Sequence, residues 1–229
     1  MSLTNKKVVN PVKKYISYNA SEGVFQYYDK TKKENIKIDN PVKFIDVAQY
    51  STIVGWNDEK QSSIFSNEVL SVKTPLNVRF QKGGSMVSGI YSDIKDTIKA
   101  NGGKFAISVY AIMNKEVVKI LLKGASLSAW FNRPAGDIIS VNKFVEEKKG
   151  ATVYKVPVFE GKEITEAEEE QIRDKYKDLF AYLEAKDKNQ VEEDDEKDES
   201  VQEIPDEDIP LIDVDEDVKD EVDLSQVPF

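Results

Sequence analysis

The sequence contains no cysteine and no histidine. The first absence excludes disulfides and thiolate metal sites, and the second removes the commonest general base and metal ligand. No metal or cofactor site is therefore expected, and many enzyme classes are excluded. No apolar run is long enough to span a membrane, and residues 1–15 lack the apolar stretch of a signal peptide. These absences predict a soluble protein that stays in the compartment where it is made, the cytoplasm.

The charge is distributed unevenly along the chain. The formal net charge is -10, but residues 1–162 hold 25 Lys+Arg against 15 Asp+Glu, which gives +10. Residues 163–229 hold 7 against 27, which gives -20. Such asymmetry indicates that the basic part meets nucleic acid or another polyanion, while the acidic part is an interaction tail.

Residues 24–159 are predicted to be mainly β, because short runs rich in Val, Ile, Phe and Tyr alternate with Gly, Asn, Asp and Lys turns. In the run at 104–113, alternation places Lys104 and Tyr110 on one face, away from the core, so Tyr110 is expected to be exposed. Strands are predicted at 24–29, 35–38, 42–55, 67–73, 76–82, 86–91, 104–113, 116–122, 137–145 and 152–159.

Three helices are predicted among and after these strands. One begins with Ser92 as N-cap and ends near Gly102, and a short second one lies at 123–132, before Pro134. The clearest begins at Thr165 with Glu168 in capping-box spacing. Its apolar stripe is expected to dock on the β domain. The stripe consists of Ile172, Tyr176, Leu179, Phe180 and Leu183.

The last part of the chain is predicted to be disordered. After Lys188 the sequence holds 18 acidic residues, two lysines and one aromatic residue, Phe229. Apolar burial there is too small to offset about 1–2 kcal/mol of backbone ordering per residue. The predicted organisation is a basic β domain at 1–162, an amphipathic helix at 163–188 and an acidic tail at 189–229.

No catalytic or metal-binding motif is complete. Asp213, Asp215 and Asp217 have the spacing of a calcium loop, but Val218 replaces the required Gly and Leu224 replaces the bidentate Glu. The Gly-Gly pairs fit neither a dinucleotide nor a phosphate-binding loop, and the GASLS run lacks the second Gly of a nucleophile elbow. The protein is therefore not expected to be an enzyme.

Aromatic and basic residues interleave along the β domain, which suits a single nucleic-acid strand. Bases stack on aromatic rings at about 1–3 kcal/mol each, and the phosphates between them need Lys or Arg. The alternative is a filled β core with lysines for solubility, since aromatic side chains are usually buried. In each adjacent aromatic pair, one ring is expected in the core and its neighbour outside. The candidate nucleic-acid-binding residues are Tyr27, Tyr28, Lys30, Lys32, Lys33, Trp56, Arg79, Lys82, Lys104, Tyr110, Trp130 and Arg133.

The tail carries a resemblance to a known family. The segment DEDIPL at 206–211 resembles the acidic tips of bacterial single-stranded DNA-binding proteins, and VPF at 227–229 ends the chain in Pro-Phe. Length, order of parts and terminal Phe resemble the single-stranded DNA-binding proteins of short-tailed phages. The resemblance implies an OB-like β-barrel that binds single strands, and a tail that recruits replication or recombination proteins such as a polymerase, helicase, primase or recombinase. A phage-encoded protein of this kind acts in the bacterial host cytoplasm.

The tail has two expected roles. Its polyanion competes with DNA for the basic groove, and its tip docks on a partner through Leu224, Val227, Pro228 and Phe229. A purely solubilising tail is the alternative for this segment. For the whole chain, the alternative is a virion-associated or protein-interaction module whose basic face does not select single strands. A homodimer is compatible with the sequence.

Overall fold

Strands dominate residues 8–188, the part of the chain described by the structure, a computed structural model. The strands are Lys14–Asn19 (β1), Val24–Asp29 (β2), Glu34–Lys37 (β3), Val42–Asn57 (β4), Ser62–Ser66 (β5), Leu76–Phe80 (β6), Ser85–Gly89 (β7), Gly103–Met113 (β8), Glu116–Lys123 (β9), Ile138–Lys149 (β10) and Thr152–Lys162 (β11). The helices are Tyr91–Ala100 (α1), Ala125–Phe131 (α2), Glu166–Lys175 (α3) and Lys177–Asp187 (α4). The mainly β prediction is confirmed. The predicted disordered tail lies outside the described residues.

The strands form one mixed sheet. Its main path runs β3-β2-β1-β9-β8-β4-β5-β6-β7, and the β10–β11 hairpin joins it through β4. The pair β1 and β9 is parallel, whereas the other pairs are antiparallel. Helix α1 connects β7 to β8, and α2 connects β9 to β10.

Strand β4 organises the sheet because it exchanges partners along its 16 residues. One edge pairs with β8, while the other pairs first with β10 and then, from Val54, with β5. Where β4 meets β8, Gly55 lies opposite Gly103. A Cβ atom on Gly55 would lie 2.3 Å from the carbonyl oxygen of Gly102, so only glycine permits this close approach of the two backbones.

Three apolar clusters hold the elements together. The largest, the inner core, lies between one face of the sheet, α2 and the β10–β11 hairpin, and includes Phe25, Phe44, Trp130 and Phe159. A second packs α1 against β4, β5 and β6. The third packs α4 against the opposite face of the sheet, over Tyr50 and neighbouring residues of β8 and β9.

The strand path is open among residues 8–188, with β3 and β7 at its ends, so the ladder does not close into the predicted barrel. Strand β11 nevertheless approaches the turn between β1 and β2. The Lys155 N–H donates to the Ala20 carbonyl at 2.8 Å, and the Tyr18 hydroxyl donates to the Lys155 carbonyl at 2.7 Å. The β10–β11 hairpin, which pairs with β4, therefore also contacts β1 and the β1–β2 turn at the edge of the inner core.

Most predicted strands are present, but three segments differ. The predicted strand at 67–73 is wrong, since only one isolated bridge, between Ser51 and Val69, forms there. Strands β1 and β5 were not predicted. Both are short and flanked or filled by polar residues, and the Ser62–Ser66 segment has the composition of a turn.

Helices α1 and α2 lie where helices were predicted. Helix α1 begins two residues earlier than expected, and its N-cap is Ile90 without a side-chain cap, so the Ser92 prediction is wrong. The capping box is confirmed: the Glu168 N–H donates to Thr165 Oγ1 at 3.3 Å, and the Thr165 N–H donates to Glu168 Oε2 at 2.9 Å. Helix α2 lies within the predicted range.

The predicted single helix at 165–186 is two helices. They break at Tyr176, which has φ -114° and ψ 32°. The predicted docking on the β domain is confirmed for α4, because Leu179, Tyr182 and Leu183 are buried against the sheet. None of the residues of α3 is fully buried, but Ile172 and the break residue Tyr176 pack partly against the same cluster.

Candidate nucleic-acid interface

The face of the sheet opposite the inner core is covered only in part, by α4. We call it the outer face and define it by the pairing register, since paired residues point to the same side and successive residues to opposite sides. On β1, β2, β3, β5, β6, β8, β9 and residues 48–57 of β4, its positions are Tyr15, Ser17, Asn19, Val24, Gln26, Tyr28, Asn35, Lys37, Ala48, Tyr50, Thr52, Val54, Trp56, Ser63, Phe65, Asn77, Arg79, Lys104, Ala106, Ser108, Tyr110, Ile112, Val117, Lys119, Leu121 and Lys123.

The outer face is basic. Five of its strand positions hold Lys or Arg, and none of these described positions holds Asp or Glu. The five are Lys37, Arg79, Lys104, Lys119 and Lys123. Lys37 is paired with Glu22 at 2.8 Å and Lys119 with Glu68 at 2.6 Å, and both carboxylates come from outside these positions. The strands thus present a positive surface to an extended polyanion.

One row across this face joins two predicted cations around an aromatic ring. Lys104 lies opposite Val54, Val54 opposite Phe65, and Phe65 opposite Arg79. We call these four residues the Phe65 row. The Arg79 guanidinium lies 4.7 Å from the centre of the Phe65 ring, a cation–π contact that orients both side chains. The row therefore places one aromatic ring between two cations, the residue types that bind a single strand.

Two further predicted residues lie at the same end of the sheet. Trp56 is in the next row, opposite Ser63, and its side chain is only partly buried. Lys82 is exposed in the turn between β6 and β7, where its N–H donates to Ser62 Oγ at 3.0 Å. The structure thus brings Trp56, Arg79, Lys82 and Lys104 together.

The lysines of the β2–β3 turn form a separate group. Lys30, Lys32 and Lys33 are exposed there. Asp29 Oδ1 orders the turn by accepting the N–H groups of Thr31 at 2.8 Å and Lys32 at 3.1 Å, and these bonds lower the pKa of Asp29. Five strand spacings, roughly 24 Å, separate β2 from β5. A nucleic-acid strand that contacted both these lysines and the residues around the Phe65 row would cross the whole outer face.

The two tyrosines of β2 lie on opposite sides of the sheet, as expected. Tyr27 packs against the inner core, and Lys14 Nζ lies 5.2 Å from the centre of its ring. Tyr28 lies on the outer face in the same row as Tyr15. Of this pair, only Tyr28 is placed to meet a ligand on the outer face.

Two predicted stacking residues are buried instead. The expected exposure of Tyr110 is wrong: it lies on the outer face, but it is 1% exposed because α4 covers it. Trp130 is 0% exposed and packs between Phe44 and Phe159 in the inner core. Neither ring has a face open to a base.

The side chain of Arg133 is held by contacts within the protein and does not lie on the outer face. Its guanidinium lies 3.6 Å from the centre of the Trp130 ring, and Nη2 donates to Asp46 Oδ2 at 3.2 Å. Burial raises the pKa of Asp46 to about 6, against the opposing effect of the Arg133 charge and the Gln49 hydrogen bond. Arg133 thus fixes α2 to β4 on the side away from the outer face.

Glu68 is the carboxylate that connects the outer face to α4. Its side chain is 7% exposed, and its oxygens lie 2.6 Å from Lys119 Nζ and 3.1 Å from Lys186 Nζ. The Tyr110 hydroxyl donates to Oε2 at 2.8 Å. Burial alone would raise the pKa of Glu68, but the two lysine charges outweigh it and lower the pKa to about 2.

This network predicts acid sensitivity. A carboxylate whose pKa is depressed on folding stabilises the protein above its unfolded pKa, near 4.5, and that contribution is lost as the pH falls towards 2. Glu68→Gln should destabilise the protein at pH 7 by up to about 3 kcal/mol, because two lysines lose a buried partner. Urea denaturation at pH 7 and pH 4 measures both effects.

The matched control is Glu116→Gln, which removes the partner of Lys14 from a pair whose side chains are 34% and 44% exposed. We expect a loss below about 1 kcal/mol for this exposed pair. Equal losses in the two variants would contradict a special role for the Glu68 network.

Phe65 and Lys123 lie on the outer face but were not predicted from the sequence as candidates. Lys123 ends β9 opposite Ala106, one row from the Phe65 row, and Phe65 lies in the unpredicted β5. Lys123 could have been predicted from the alternation along β9. Because Val118, Ile120 and Leu122 are buried on one face, Lys123 belongs to the opposite face. Phe65 had no comparable local signal.

In residues 8–188, no helix is long and apolar enough to cross a membrane, and no group of three or more acidic side chains is placed to hold a metal ion. No protein-family model matches the chain, and no curated protein or solved structure is significantly similar to it.

Proposed function

We propose that the chain binds single-stranded DNA without sequence preference through its outer face, in DNA replication, recombination and repair. The observation that carries the proposal is the Phe65 row with its neighbour Trp56, where aromatic rings lie beside the cations Arg79 and Lys104. Phosphates need the cations and unpaired bases need the rings. No reaction is part of the proposal, and its place of action is the cytoplasm, or the bacterial host cytoplasm for a phage-encoded protein.

The OB-like barrel is part of the same proposal. It is supported by the pairing of β10 with β4 and by the two hydrogen bonds that link Lys155 of β11 to Tyr18 and Ala20. The acidic tail completes the proposal: its polyanion competes for the outer face, and Leu224, Val227, Pro228 and Phe229 recruit replication or recombination proteins. These tail residues lie outside the described part of the chain.

Trp56 reports on binding. The sequence holds two tryptophans, and Trp130 is fully buried, so quenching of tryptophan fluorescence by oligo-dT should come from Trp56. Trp56→Phe should remove the tryptophan signal, and Trp56→Ala should weaken binding by about 1–3 kcal/mol, or roughly 5- to 150-fold. The measurement is a fluorescence titration with oligo-dT and with duplex DNA of equal length, supported by anisotropy of labelled DNA.

The control is Trp130→Phe, which should keep the quenching because Trp130 lies in the inner core. Duplex should bind more weakly, since its bases are stacked inside the helix. Equal affinity for duplex and oligo-dT, without quenching, would contradict the proposal and favour the module with a nonspecific basic face.

A further inference from the structure

A groove of about 380 Å³ lies between α3 and the sheet, near the N-terminal end of α4. Ile112 and Ile138 line it from the sheet, and Ile164 and Ile172 line it from the α3 side. Because no residue of α3 is buried, the helix leaves this apolar surface partly open. The groove is separate from the Phe65 row, since α4 lies between them.

The rim of the groove favours an acidic ligand. Lys115, in the turn between β8 and β9, and Lys175, at the end of α3, lie on the rim, and both are exposed. The carboxylate on the rim, Glu168, is engaged with Thr165 in the capping box. An apolar peptide flanked by carboxylates therefore matches both the floor and the rim.

The acidic tail contains a peptide of this kind. Residues 206–212, Asp-Glu-Asp-Ile-Pro-Leu-Ile, combine three large aliphatic side chains with three carboxylates, and they lie outside the described residues. We propose that Ile209, Leu211 and Ile212 bind in the groove under α3 of the same chain. This contact gives the internal DEDIPL segment a role distinct from the Pro-Phe tip, which remains available to partners.

The connecting chain has a suitable length. Twenty residues, 189–208, join the end of α4 to Ile209. As a flexible coil these residues span roughly 25 Å. The groove lies at the other end of α4, and the 11 residues of this helix extend over about 16 Å, so the coil is long enough to reach the groove. Such a tether gives an effective concentration on the order of millimolar, so even a contact of millimolar affinity is about half formed.

The absence of cysteine permits a direct test on the full chain. Asp213→Cys carries a nitroxide label, and the methyl groups of the isoleucines are observed by NMR. We expect the methyl signals of Ile112, Ile138 and Ile172 to be broadened by the label, while those of Ile94 and Ile98, under α1, stay sharp. No DNA is present, so the result is independent of the proposed single-strand binding.

The control carries Ile209→Ser, Leu211→Ser and Ile212→Ser, which keep every charge of the tail. This variant should lose the broadening. Broadening that persists in the control would show a contact made by charge alone and would overturn the proposal. So would equal broadening of Ile94 and Ile172, or broadening that appears when labelled chains are mixed with separate isotope-enriched chains, since the occupant is then another copy.

Discussion

Replacing Arg79, Lys104 and Lys123 with alanine is expected to lower the affinity for oligo-dT by roughly 100- to 1,000-fold at low salt. The three cations lie in two adjacent rows of the outer face, and at a net contribution of about 1 kcal/mol for each solvent-exposed phosphate contact their loss costs about 3–4 kcal/mol. The salt dependence should change with the affinity. Each lost phosphate contact removes about 0.7 from the slope of log K against log salt, so the slope should fall by about 2.

The matched control removes three exposed lysines elsewhere, Lys95 on α1 and Lys143 and Lys148 on β10. Net charge changes equally in both variants. If binding depends only on net charge, the two triple variants will lose affinity and slope to the same extent, and the outer face is then not the interface. Circular dichroism and urea denaturation confirm that both variants are folded.

The side on which a residue lies could be predicted from the sequence, but what covers it could not. Alternation in β8 correctly places Lys104 and Tyr110 on one face. Their exposure nevertheless differs, because α4 returns from more than sixty residues later to cover Tyr110 and leaves Lys104 partly exposed. Local periodicity contains no information about such a distant contact.

Trp130 illustrates a second limit. The prediction that one ring of Trp130–Phe131 is exposed assumed strand geometry, whereas both residues belong to α2. In a helix, neighbouring side chains are about 100° apart, so both can contact the core. Trp130 is fully buried, and Phe131 packs against the same cluster. The error therefore came from applying strand alternation to a segment, 123–132, that was itself predicted to be helical.

The Phe65 row depends on pairing between distant segments. Lys104, Phe65 and Arg79 come from β8, β5 and β6, and their alignment requires the register of three strand pairs. The sequence indicated interleaved rings and cations within single segments only. The structure adds a row that runs across the strands, and this row supplies the spacing on which the proposed function depends.

The end of α4 lies on the same face as these cations. Asp187, its last residue, accepts a hydrogen bond from the Tyr50 hydroxyl at 2.7 Å, and Lys186 contacts Glu68. Tyr50 is an outer-face position of β4. The next outer-face position on β4, Thr52, lies in the same row as Lys123. The acidic segment that follows is thus tethered beside the proposed binding surface, which favours competition between the tail and DNA.

Deleting residues 190–229 is therefore expected to raise the affinity for oligo-dT about tenfold at low salt. The deleted segment holds 18 acidic residues and 2 lysines, a net charge of -16. A tether gives it an effective concentration on the order of 1 mM, and a polyanion that binds the face with a Kd of about 0.1 mM then weakens DNA binding about 11-fold. The measurement is anisotropy of labelled oligo-dT over a salt series.

The tenfold gain should disappear as salt rises, because both competing contacts are ionic and screened. Removal of Phe229 alone is the matched control: it keeps all 18 carboxylate side chains, so DNA binding should stay unchanged while partner recruitment is lost. Unchanged or lower affinity after the full deletion would contradict competition by the tail. Loss of DNA binding after removal of Phe229 alone would instead assign a structural role to the tip.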